Sequence, residues 1–168
     1  MPYNTVKKKT RQAIEPERKI TMNELRMKIK MMIASYKEAL DHNQAMFTEE
    51  ENDLRARTDN LAKEIYPEFD AEFYHHYADN EDWPDDDDDD EFFDDCRTAY
   101  RRAVDNLDYV GMNISDIMDR YNKARREIIQ NRDDDVIRAY KSIPDDFWIG
   151  DSWEKEFKSL YNRAIYNG

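Results

Sequence analysis

Only three glycines and five prolines interrupt this chain of 168 residues, and valine occurs only at positions 6, 104, 110 and 136. Chains turn tightly at glycine and proline, and strands favour β-branched residues. A sequence sparing in all of these, and rich in Ala, Leu, Met, Glu, Lys and Arg, is helix material. It predicts helices joined by few turns, and no sheet. Hydrophobic and charged residues each make up 39% of the chain, so a modest core under a strongly charged surface follows.

Apolar spacing places the helices. Thr21 and Glu24 form a capping box ahead of Leu25, Ile29, Met32, Ile33, Tyr36 and Leu40, which predicts a helix over 22–46. Thr48 and Glu51 repeat the box ahead of Leu54, Leu61 and Ile65, with Pro67 as the stop. Pro67 can in turn open a short helix carrying Phe69, Phe73 and Tyr77. From Glu91 a broad stripe runs through Phe92, Phe93, Cys96, Ala99, Tyr100, Ala103, Val104, Leu107 and Val110, with Gly111 placed for a left-handed C-terminal cap. Ser115 is expected to cap a helix through Ile128, a short helix is expected over Asp133–Ser142 ahead of Pro144, and Ser152 precedes a last one through Ile165. The expectation is all-α: an irregular bundle of six or seven helices, with a flexible basic arm over 1–19 and a single helical domain over 20–168 that contains an acidic loop at 79–91.

Charge is segregated along the chain. The total is −13, yet residues 1–37 sum to +7, residues 38–95 to −20 and residues 96–168 to zero. The densest part is 79–95, where 12 of 17 residues are acidic and none is basic: Asp79, Glu81, Asp82, Asp85, Asp86, Asp87, Asp88, Asp89, Asp90, Glu91, Asp94 and Asp95. Like charges repel at short range and Asp is a poor helix-interior residue, which predicts an extended Asp85–Asp90. An extended chain advances ~3.4 Å per residue, close to the ~3.4 Å between phosphates along one DNA strand. A surface built of Lys and Arg to hold phosphates could accept such a ladder.

Aromatics set this tract apart from a purely solvating one, since such segments have few. Trp83, Phe92 and Phe93 lie within it; Phe92 and Phe93 also begin the following apolar stripe and are expected in the core, leaving Trp83 as the anchor. The pattern resembles the acidic–aromatic segments of histone chaperones and, in composition, the acidic DNA-mimic inhibitors of phages. That resemblance implies a cationic, nucleic-acid-binding protein as partner. The sequence expectation is a non-enzymatic binding module whose contact residues are the twelve carboxylates and Trp83. The alternative is a structural subunit of a larger viral or ribonucleoprotein assembly, its basic arm threading into a neighbour.

Other chemistries find little footing. A calcium loop begun at Asp79 would put Pro84 at its sixth position and Asp90 at its twelfth, where a Gly and a bidentate Glu are needed. His75 and His76 are adjacent, so on a helix their side chains diverge by about 100°; no metal or cofactor is expected. Cys96 reads as a small buried hydrophobe. With glycine only at 111, 150 and 168, no phosphate-cradling loop exists. The methionines at 22, 27, 31 and 32 are expected to pack in the core. Lys7, Lys8, Lys9 and Arg11 could contact nucleic acid locally, but the −20 segment opposes strong binding by the whole chain. No apolar run reaches the ~18–20 residues of a membrane span. The lone cysteine suits a reducing compartment, so the cytoplasm is the expected location.

Overall fold

The computed structural model describes residues 20–167; the expected basic arm over 1–19 lies outside them. Among the described residues there is no strand. Five α-helices follow in order: α1 (Met22–Ile65), α2 (Ala71–Asp79), α3 (Asp87–Tyr109), α4 (Ile114–Ser142) and α5 (Ser152–Asn167), with a 3-10 turn at Asp145–Phe147 between the last two.

The count is five rather than six or seven because two expected breaks are absent. The Thr48 capping box does not start a helix: the Thr48 hydroxyl donates to the Gln44 carbonyl at 3.1 Å, one turn back within α1. No glycine or proline lies between Met22 and Ile65, so propagation, which gains a hydrogen bond per residue, outweighs a local cap. Likewise Asp133–Ser142 is the last part of α4, not a separate helix. The cap of α4 falls at Asn113, whose Oδ1 accepts from the Asp116 N–H at 2.8 Å, and not at Ser115. Helix α2 starts after Pro67 and Phe69, with Asp70 as the cap accepting from Phe73 N–H at 3.1 Å.

Other local signals match their geometry. Glu24 N–H donates to Thr21 Oγ1 at 3.2 Å and Thr21 N–H to Glu24 Oε2 at 3.4 Å, the reciprocal pair of a capping box. Gly111, at φ +83°, ends α3. Its N–H reaches the Asp108 carbonyl at 2.9 Å and that of Met112 reaches Leu107 at 2.8 Å, closing a Schellman motif.

The chain divides into two compact units, one formed by residues up to Ser35 together with Asp133 onward, the other by Tyr36–Arg132. In the first, Ile29, Ile33, Val136, Phe147, Phe157 and Leu160 form a buried cluster. Tyr140 and Tyr161 stack beside it with centroids 3.7 Å apart. Arg26 donates through Nε and Nη2 to the Phe147 carbonyl at 3.0 and 2.7 Å, satisfying a backbone acceptor from a distant helix. Glu154 is buried, and its carboxylate accepts from the N–H groups of Ile149 and Gly150. Met32 packs against this core and Met22 joins it, whereas Met27 and Met31 are exposed.

The second unit is built around Ala62, Phe69, Tyr74, Phe93, Cys96, Ala99 and Ala103, packed by Leu61, Ile65, Tyr66, Phe73, Tyr77, Phe92 and Tyr100. Small residues on α3 let the rings of α2 approach: Tyr74 lies 5.5 Å from Phe93 and 4.8 Å from Tyr100, centroid to centroid. This aromatic core carries the acidic tract.

Candidate protein-binding surface

The tract 79–95 is part helix, part turn. Helix α3 opens inside the aspartate run: Asp86 is the N-cap, its Oδ1 accepting from Asp88 N–H at 2.9 Å, and Asp87–Asp90 fill the first turn. The expected extended ladder over Asp85–Asp90 is therefore not formed. The physical reason is positional. Carboxylates in a helix's first turn face the positive end of its macrodipole, each gaining about 0.3–1 kcal/mol, so a run that would weaken a helix interior stabilises a helix start.

The approach to α3 is a second turn with a strained residue. Helix α2 ends in a Schellman arrangement, Asp82 N–H to the Tyr77 carbonyl at 2.9 Å and Glu81 N–H to Ala78 at 3.3 Å. Glu81 occupies the left-handed position at φ +52°, where glycine is usual. The chain then passes Trp83 and the buried Pro84 into α3.

All twelve carboxylates of 79–95 are exposed. Two are paired within this unit: Asp79 with Arg55 at 2.5 Å and Asp94 with Arg97 at 2.6 Å. Asp82 Oδ1 accepts from the backbone N–H of Trp83. Glu81, Asp82, Asp85–Glu91 and Asp95 make no ion pair with any described lysine or arginine.

Trp83 sits at the edge of this field. It retains 46% of its surface, meets Phe93 edge-on at 4.8 Å and holds the Arg97 guanidinium 4.7 Å over its ring. Arg97, in turn paired with Asp94, lies over an indole that keeps nearly half of its surface exposed. Phe93 is buried and Phe92 half-buried against Phe73 and Tyr66, as the apolar stripe implies.

Beneath the tract lies a polar cluster that sequence spacing only half indicates. His75 Nε2 lies 2.7 Å from Asp59 Oδ1 and its Nδ1 3.9 Å from Asp79 Oδ1, the latter one turn along α2. Hydrogen bonding to Asp79 holds the Arg55 guanidinium even more firmly protonated than usual. Burial pushes the phenols of Tyr74 and Tyr100 up, and the buried Cys96 thiol up likewise. Arg55, Asp59 and Arg97 were not singled out by the sequence. Arg97 and Asp94 stand three apart, a helical pairing distance, whereas Asp59 and Arg55 meet their partners only through the tertiary fold.

Among the described residues, no group of three or more His, Cys, Asp or Glu is arranged to hold a metal ion, and no helix is long and apolar enough to cross a membrane. No protein-family model, no curated protein and no solved structure matches the chain.

Proposed function

We propose that this chain is a non-enzymatic binding module that uses the acidic start of α3, with Trp83 as anchor, to occupy a cationic protein surface of the kind that otherwise holds nucleic acid. One observation carries the reading: the run Asp85–Glu91 is exposed and has no ion pair with any described cation. Helical geometry supports it. Asp87–Asp95 carries seven carboxylates over eight steps of about 1.5 Å, or one per about 1.7 Å of axis, which is the axial charge density of duplex DNA. Winding thus gives the helix about twice the charge per unit length that an extended aspartate run would present at ~3.4 Å per residue. Dense exposed charge speeds encounter with an oppositely charged surface, and a half-exposed, rigidly backed indole is the kind of anchor that gives such encounters residence.

The test is binding by calorimetry to a panel of purified cationic proteins: a histone octamer, a duplex-bending architectural protein and a single-strand-binding protein. The intact chain is compared with one in which Asp85–Asp90 are all replaced by Asn, at low and high salt. Binding to at least one of them, falling steeply with salt and lost in the replacement, is expected. Affinity unchanged by the replacement rejects the proposal.

A further inference from the structure

Helix α5 carries the opposite charge on the face turned from its core. Phe157, Leu160 and Ala164 are buried, while Lys155, Lys158, Ser159, Asn162, Arg163 and Tyr166 are exposed along the other side. One carboxylate, the half-buried Glu156, flanks that face beside Lys155. Lys158 lies 4.1 Å over the Trp148 ring; Lys155 and Arg163 make no ion pair with any described residue.

We propose that this basic face receives the acidic start of α3 from a second copy of the chain, the two helices running antiparallel. The register follows from spacing. Lys155, Ser159 and Arg163 stand at steps of four, spanning about 12 Å on a helix. Asp87, Glu91 and Asp95 stand at the same steps on α3. Antiparallel alignment sets Asp87 against Arg163, Glu91 against the Ser159 hydroxyl and Asp95 against Lys155. It also brings the acidic first turn of α3 beside the last turns of α5, where the two helix dipoles oppose favourably. Trp83, 46% exposed, and Tyr166, 90% exposed, fall at the same end of the pair.

A second copy fits this face better than a nucleic acid does. The chain itself supplies an unpaired anion whose length and four-residue spacing match this face. Its net charge of −13 opposes any anionic partner, but at physiological salt that repulsion is screened beyond about 8 Å while charges in contact still attract. Each copy has one acidic helix start and one basic face, so two copies can close a reciprocal pair, or repetition can build a ring or an open chain. It stands independently of any foreign cationic partner, which would compete with the second copy for the same carboxylates.

Sedimentation velocity on the full chain, from micromolar to near-millimolar concentration, tests it. Mass is expected to rise with concentration. Lys155→Glu/Arg163→Glu and, separately, Asp87→Lys/Asp95→Lys should each weaken association about tenfold or more, with helical content unchanged by circular dichroism. Mixing the two variants should restore it, because each junction again joins opposite charges. Asp87→Asn/Asp95→Asn provides a milder partner should the lysines disturb the helix start. A wild type that stays monomeric overturns the proposal, as does a mixture that fails to associate. So does a basic face whose reversal alters only binding to a single-stranded oligonucleotide.

Discussion

Glu81 is the one non-glycine residue at positive φ among those described, and it lies inside the acidic tract. A left-handed backbone costs an L-residue with a Cβ about 1–2 kcal/mol. Glycine removes that cost but adds unfolded-state freedom worth roughly 0.5–1 kcal/mol. Glu81→Gly is therefore expected to stabilise the fold by about 0.5–1 kcal/mol, a rise in Tm of about 1–4 °C for a chain of this size. Glu81→Ala separates backbone from charge. It removes the same carboxylate from a crowded anionic field yet keeps the Cβ, so it should recover only the part due to relieved repulsion. Thermal unfolding followed by circular dichroism, at low and high salt, measures both. If alanine stabilises as much as glycine, and the gain vanishes in salt, electrostatics and not backbone strain governs this turn. If glycine destabilises, the Glu81 side chain makes a contact that matters more than its backbone, and the reasoning fails.

Glu154→Ala should cost about 1–3 kcal/mol in urea unfolding, because it strips the acceptor from two backbone N–H groups, those of Ile149 and Gly150. Glu154→Gln, which keeps one carbonyl acceptor, should cost less. Raising the pH above the ordinary tyrosine value of 10.0 should erode stability, since burial holds Tyr74 and Tyr100 neutral in the fold while the unfolded chain ionises them first. Tyr74→Phe and Tyr100→Phe should each flatten that decline, and an undiminished slope in both would refute the assignment. The Cys96 thiol, fully buried and raised in pKa, should react with a thiol reagent only as fast as the protein opens, becoming prompt in denaturant; prompt labelling of the native chain would contradict the packing.

Helical class was legible because it depends on what the sequence lacks: with three glycines and five prolines, few places exist to turn. The reciprocal bonds of Thr21 and Glu24, the positive φ of Gly111 and the burial of Phe93 and Cys96 are likewise local or periodic consequences. Thr48 misled because a capping box is necessary to few helix starts and sufficient for none; without a breaker before it, the helix passes through and the hydroxyl turns back to Gln44. The aspartate run misled differently. Intrinsic propensity treats aspartate as a poor interior residue, but the first turn of a helix inverts that preference. At the candidate surface, every carboxylate was legible and its exposure followed from charge alone. What held Trp83 was not, because Phe93, Arg97 and the indole converge only once the turn at Glu81 brings 83 back over α3.

The proposed function requires the carboxylates at the head of α3 to take the place of phosphates on a cationic partner. Fluorescence anisotropy of a labelled DNA bound to a protein that this chain also binds tests it directly. Stepwise addition of the intact chain should release the DNA, and the chain with Asp85–Asp90 replaced by Asn should leave it bound. Formation of a ternary complex, with DNA and chain held at once, would contradict it.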